Sequence, residues 1–340
     1  MKTLIIGPSW VGDMLMSQSL YRHLKQDRPE REIDVLAPDW CRPVLARMPE
    51  VSNAIAMPVG HGSLQWGMRK KIGQQLAQQG YEQAYVLPNS FKSALIPWFA
   101  NIPQRIGWRG EMRYGLLNDI RTLNKKAFPL MVQRYVALSK PAGSTALAKA
   151  DILSPSLMVE PSEQLSALQQ FSLQDQKSIA FCPGAEFGPA KRWPDYHYAS
   201  LAKKLIADGF SIWLFGSPKD KEVCNQIINQ LSDQEKSMCH NLAGSTTLPQ
   251  AIDLIAACQL AVTNDSGLMH IAAAVNAPLV ALYGPTSPDF TPPLSDKADI
   301  IRLIEGFHKI RKGDAEQGYH QSLIDISPEL AYDTAKKWLA

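Results

Sequence analysis

The chain has 340 residues, 45% of them hydrophobic and 20% charged, with a formal net charge of +3. That length exceeds one ordinary core and predicts two domains of about 150 residues each, while the charge is too weakly basic to imply a nucleic-acid partner. Its five cysteines (Cys41, Cys182, Cys224, Cys239 and Cys258) are odd in number, scattered and without a Cys-x-x-Cys pair, which argues against a disulfide framework or zinc knuckle and for a reducing compartment.

In chain order, "TLIIG" reads as a strand, "DMLMSQSLYRHLKQD" as a helix and "EIDVLAP" as a second strand. "YEQAYVLP" is a later strand and "SFKSALIPWFA" the helix after it. The stretch from about Lys140 to Ser178 is rich in Pro, Ser and Ala, lacks a period and reads as the interdomain connection. The alternation then restarts with strand "SIAFCPG", helix "DYHYASLAKKLIADGF" and strand "SIWLFGS". Next come helix "LPQAIDLIAACQL", strand "LAVTND", helix "SGLMHIAAAVN" and strand "PLVALYG". "SPELAYDTAKKWLA" closes the chain as a helix with Ser327 at its N-cap and Pro328 at its first position. Short apolar strands alternating with helices predict an α/β chain of doubly wound parallel sheets. Two such Rossmann-like domains facing across a cleft would hold ligand at the carboxyl ends of their strands. The expected boundaries are residues 1–160, 170–325 and a C-terminal helix over 326–340. No apolar run approaches the ~18 residues of a membrane span, and the start lacks the pattern of a signal peptide.

The motifs fall at strand ends. "FCPGAEFGPAKRWP" (181–194) places Gly184, Gly188, Lys191 and Arg192 in one loop, as a phosphate cradle requires; a plain glycine-rich loop would look alike. In "VTNDSGLMHIAAA" (262–274), Asp265 or Ser266 caps a helix starting near Gly267. Its first amides and dipole suit an anion, and His270 lies one turn on. Asp220, in "LFGSPKDKE", could accept ribose hydroxyls or belong to a surface turn. "ALYGPTSPDFTPP" is a proline-braced loop suited to a pocket wall.

In the first half, Gly7 and Gly12 lack the G-x-G-x-x-G spacing, so dinucleotide binding is disfavoured. Asp13 there can be a first-turn acid favoured by the helix dipole, or a general base opposite an anion site in the other half. Bases and aromatics cluster nearby: Arg69, Lys70, Lys71, Lys92, Arg105, Trp108, Arg109, Arg113, Tyr114, Arg121, Lys125 and Lys126. Together they suggest an acidic acceptor, with Trp108 stacking on a sugar face. The basic stretch within 306–321 (Lys309, Arg311, Lys312) could touch acceptor phosphates. No Asp-x-Asp occurs, so lysine and helix amides would do what a divalent metal does elsewhere.

Six stretches, "GPSWVGDMLMSQSLYRHL", "LPNSFKSAL", "GWRGEMRYGLLND", "FCPGAEFGPAKRWP", "VTNDSGLMHIAAA" and "ALYGPTSPDFTPP", resemble the ADP-heptose-dependent lipopolysaccharide heptosyltransferases of glycosyltransferase family 9. The likeness runs in order from residue 1 to about 328. It implies the GT-B fold and inverting transfer of L-glycero-D-manno-heptose from ADP-heptose to the first heptose of the lipopolysaccharide inner core. By the same resemblance Asp13 and Lys191 are catalytic. Gly184, Glu186, Lys191, Asp220, Asp265, Ser266, Gly267 and His270 bind the donor, Asp220 standing where a relative carries a glutamate. Arg69, Lys70, Lys92, Arg109, Arg113 and Arg121 bind the acceptor. The resemblance further implies no cofactor and no metal. It implies as partners ADP-heptose and a lipid-anchored acceptor, with no nucleic acid, and a cytoplasmic place in peripheral contact with the inner membrane. Two other readings keep the architecture: a non-hydrolysing sugar-nucleotide epimerase, and a binding protein without chemistry.

Overall fold

The computed structural model describes residues 1–60, 62–144, 146–174, 177–186, 188–306 and 313–339. Lys309, Arg311 and Lys312 lie outside the described residues. The chain divides into two compact units, Met1–Leu157 and Met158–Ala340.

The first unit contains β1 (Lys2–Ile6), α1 (Val11–Asp27), β2 (Glu32–Ala37), α2 (Arg42–Leu45), β3 (Asn53–Ala56), α3 (Trp66–Leu76), β4 (Gln83–Val86), α4 (Leu95–Phe99), β5 (Gln104–Trp108), β6 (Asp119–Arg121) and α5 (Met131–Val136). The second contains α6 (Pro161–Gln170), β7 (Ser178–Cys182), α7 (Asp195–Ala207), β8 (Ser211–Leu214), α8 (Lys221–Asn229), α9 (Asp233–Lys236), β9 (Cys239–Asn241), α10 (Leu248–Ala257), β10 (Leu260–Asn264), α11 (Gly267–Ala274), β11 (Leu279–Leu282), β12 (Ala298–Ile301), α12 (Gln321–Ile324) and α13 (Pro328–Leu339).

Both sheets are six-stranded, in the orders β3-β2-β1-β4-β5-β6 and β12-β11-β10-β7-β8-β9, and every strand pair is parallel. The second order is the first in mirror listing: each sheet starts in its middle, winds one way for three strands and then the other way. The strand order therefore reverses between β1 and β4 in one unit and between β7 and β10 in the other. Loops leaving those adjacent strands diverge and open a crevice at their carboxyl ends. The central strands are buried on both faces, which explains their unbroken apolar composition: Leu4, Ile5, Ile179, Phe181, Ala261 and Val262 have no exposed surface.

One expectation is corrected. The segment Lys140–Ser178 is not all connection, since Pro161 opens the ten-residue helix α6, where a proline lacks no needed hydrogen bond. The final helix is α13, whose Ala331 and Ala335 are fully buried in the second unit's core with Leu201 and Leu205 of α7. Its start is as expected, with the Leu330 amide donating to Ser327 Oγ at 3.2 Å.

In the first unit α3 and α4 pack backbone to backbone at Gly73. A Cβ there would meet the Phe99 side chain and come within 2.8 Å of the Ile96 carbonyl oxygen. Gly73→Val should therefore destabilise the first unit by about 1–3 kcal/mol, read as a lower midpoint in denaturant unfolding; an unchanged midpoint would mean that the two helices part without loss.

Candidate active site

In the first unit β1 ends at Ile6, and Gly7 turns the chain with its amide donating to Leu36 O at 3.0 Å. A side chain at Gly7 would strike Met14. α1 begins at Val11, so Asp13 sits in its first turn at the strand-order reversal, half-buried. Two neighbours feel its charge. Burial pushes the Cys41 thiol up to about 12, with Asp13 adding to the shift. The Tyr135 hydroxyl is raised far above its usual value by burial and, second, by Asp13. Both therefore stay neutral and uncharged beside the carboxylate.

The basic candidates separate into two groups. Arg113 is wholly buried, and burial pushes its pKa down to about 10. Its guanidinium donates to Pro88 O at 2.7 Å, Ser93 Oγ at 3.4 Å, Asn89 Oδ1 at 3.5 Å and Trp108 O. Arg69, 4% exposed, donates to Leu64 O at 2.6 Å, Ser63 O at 3.2 Å and Lys92 O at 3.2 Å. Arg121 grips Asp119 through two bonds of 2.9 and 2.8 Å and donates to Leu138 O and Lys140 O. These three arginines hold loops together with donors the acceptor was expected to receive. Trp108 is likewise turned inward: it is 7% exposed, and Nε1 donates to Arg134 O at 3.0 Å. Lys70 and Arg109 are exposed and Lys92 half-buried.

In the second unit Lys191 Nζ lies 3.5 Å from Asp265 Oδ2. The two come from the loops after β7 and β10, the strands between which the order reverses. Ser266 is the N-cap of α11, and its hydroxyl makes no capping bond, so it leaves the helix's first amides to other partners. His270, one turn on, is buried; burial pushes its pKa down from 6.5 to about 4, against an upward pull from Asp265. It is therefore neutral at physiological pH and keeps one N–H to donate.

Asp220 is tied down. Its Oδ2 accepts from the Ser217 amide at 2.9 Å and Ser217 Oγ at 2.7 Å, and Oδ1 lies 3.3 Å from Arg192. The carboxylate stands against Gly184, where any Cβ would collide with it. The glycine thus makes room for an internal acid, and Asp220 closes the turn into α8. Glu186 pairs with Lys219 at 3.2 Å on the surface. A cavity of about 310 Å³ adjoins this loop, lined by Pro189, Arg192, Lys219, Glu222, Gln226 and Tyr319 among others; neither Lys191 nor Asp265 borders it.

The residue that sequence reasoning passed over is Asn264. It is fully buried at the end of β10. Its Oδ1 accepts from the Trp193 amide at 3.0 Å and Tyr198 hydroxyl at 3.2 Å, and Nδ2 donates to Pro183 O at 2.8 Å. One amide side chain thus pins both ends of the 183–193 loop to the strand that carries Asp265. The only trace of this in the sequence is a polar residue closing an apolar strand. Among the described residues no cluster of three or more His, Cys, Asp or Glu could hold a metal.

A sequence profile described as glycosyltransferase family 9 (heptosyltransferase) matches residues 69–320. Lipopolysaccharide heptosyltransferase 2 of Escherichia coli K12 is 62% identical, covering 97% of this chain and 96% of its own. Lipooligosaccharide heptosyltransferase 2 of Haemophilus influenzae is 59% identical over the full length of both. The solved structure of the E. coli ADP-heptose lipopolysaccharide heptosyltransferase II matches with a TM-score of 0.91 at 57% identity, covering 100% of this chain and 98% of that one.

A buried neutral His270 carries a pH signature. Its folded pKa of about 4 lies below the ordinary 6.5, so its stabilising contribution is complete above 6.5 and is lost as pH falls toward 4. Stability of the second unit should drop across that window in thermal melts. His270→Gln should flatten the drop in part, since burial also lowers His197 and His240; a slope unchanged by the substitution would contradict the assignment.

Proposed function

The chain belongs to glycosyltransferase family 9, and we propose that it is an inverting heptosyltransferase moving L-glycero-D-manno-heptose from ADP-heptose to the first heptose of the lipopolysaccharide inner core. The observation that carries this reading is about 60% identity, over nearly the whole length of both chains, to heptosyltransferase 2 proteins of Gram-negative bacteria. The family sets aside the epimerase and binding-protein readings.

In the proposed reaction the acceptor hydroxyl attacks the anomeric carbon of the heptose. Asp13 takes the proton of that hydroxyl as the new glycosidic bond forms. The bond from the anomeric carbon to the diphosphate oxygen breaks on the other face, ADP leaves with the electron pair, and the configuration inverts. The transition state is oxocarbenium-like, and negative charge grows on the departing oxygen. Lys191, the amides opening α11 and the neutral His270 are the donors in position to meet that charge; their value lies in being fixed before the reaction. Asp265 holds Lys191 in place, and Asn264 holds the loop that carries it. Asp220 braces that loop through Arg192 and closes its own turn through Ser217.

On the acceptor side, Lys70, Lys92 and Arg109 are the accessible bases, and Arg69, Arg113 and Arg121 shape the loops that present them. We propose ADP-heptose and a lipid-anchored inner-core acceptor as partners, a place on the cytoplasmic face of the inner membrane, and no metal. No helix among the described residues is long and apolar enough to cross a membrane.

The class is tested by incubating the protein with ADP-heptose, with and without a truncated lipopolysaccharide bearing one heptose. Mass gain of one heptose on that acceptor, undiminished by a chelator, is expected; strict metal dependence would contradict the lysine-and-amide account. Asp13→Asn should retain ADP-heptose binding and lose about a hundredfold or more in turnover, whereas full activity would remove Asp13 from the chemistry. Lys191→Ala should cost about a hundredfold in rate and weaken ADP far more than adenosine; equal losses for both ligands would count against a diphosphate contact.

A further inference from the structure

The first unit exposes aromatic surface that its own core does not use. Trp66, opening α3, and Trp98 of α4 both pack edge-on against Phe99, with ring centroids 5.4 and 4.9 Å from it. Yet Trp66 is 47% and Trp98 40% exposed. Leu64 and Met68, two residues to either side of Trp66, are 48% and 41% exposed. Single exposed apolar residues are ordinary, but two tryptophans sharing one ring partner form a patch.

The chain that carries this patch is mostly basic, although the Glu111 carboxylate accepts from the Phe91 amide at 2.7 Å ahead of α4. Between Glu50 and Glu111 the sole acid is Glu82, against Arg69, Lys70, Lys71, Lys92, Arg105 and Arg109. Arg69 and Arg105 are occupied by backbone carbonyls. Lys70 and Lys71 are exposed on α3, and Lys70 stands one helical turn from Trp66 on the same side. The patch is also stiff, because α3 and α4 meet backbone to backbone at Gly73. It is tied to the candidate acceptor loop as well, through Arg69 bonding to Lys92 O at 3.2 Å.

Tryptophan has an apolar body with one polar N–H, and lysine an apolar stem with a cation at its tip. Both settle at the boundary between acyl chains and headgroups, and lysines there are drawn to anionic lipid. With Lys70 and Lys71 exposed on α3, such a surface complements an anionic partner better than a basic one. We propose that this face of α3 and α4 docks the protein on a membrane carrying anionic phospholipid, with Trp66 and Trp98 entering the interface and Lys70 and Lys71 meeting headgroup phosphates. The proposal rests on the reading of a lipid-anchored acceptor and names the surface that reaches it.

The test uses the full chain and vesicles without any acceptor. Co-sedimentation with phosphatidylethanolamine–phosphatidylglycerol vesicles is expected, weak on phosphatidylcholine alone and weakened by salt. The pair Trp66→Ser with Trp98→Ser, and separately Lys71→Glu, should each melt like the parent and lose about tenfold in vesicle partition. The tryptophan variant should still transfer heptose at the parental rate to an acceptor freed of its acyl chains. A parent that ignores anionic vesicles, or variants that bind them as the parent does, would overturn the proposal. So would a concentration-dependent dimer abolished by the same substitutions, which would assign the face to a second copy. Absence of transfer to any acceptor would instead strike the proposed reaction and leave the vesicle result to judge the surface.

Discussion

A parallel sheet wound outward in both directions from its middle has one place where neighbouring loops must part, and both halves of this chain are built around that place. In the first unit it lies between β1 and β4, and in the second between β7 and β10. Asp13 follows β1; Lys191 and Asp265 follow β7 and β10. The residues proposed to carry chemistry stand at these reversals, where diverging loops leave backbone and side chains facing open space without breaking a sheet bond. The apolar strands beneath them supply the rigidity: their central residues are wholly buried, so the loop anchors have nowhere to move.

What holds those loops is a small set of buried polar side chains. Asn264 spans the 183–193 loop, and Arg113 and Arg69 lace the carbonyls of the 63–64, 88 and 92 region. A buried donor or acceptor deprived of its partner costs about 1–3 kcal/mol. Each of these groups therefore fixes one loop geometry against alternatives, and the fixed amides and lysine gain their electrostatic effect from not having to reorganise.

The strand and helix rhythm of both halves was legible because buried parallel strands are short and apolar and the helices between them have clear starts. Thr247, for example, accepts from the Gln250 amide and heads α10. Strands β6 and β9 are three residues each, "DIR" and "CHN", too brief for any period to show. Helix α6 was hidden by the Pro- and Ser-rich stretch before it. Among the proposed site residues, Lys191 and Asp265 were picked out by loop and helix-start chemistry, and the fold sets them 3.5 Å apart. The intrachain partners of Asp220, Arg69, Arg113 and Trp108 were not legible, since a charged or aromatic residue in a loop looks the same whether it faces ligand or a neighbouring carbonyl.

By itself the sequence determined the class of fold, the two-part plan and the loops proposed to hold the chemistry, because periodicity, capping and glycine placement act over a few neighbouring residues. Only the tertiary structure decided which charges are free. Arg113 lies 25 residues from Pro88 and Asn264 lies 81 from Pro183, and partners that distant come together only when the sheet orders its strands.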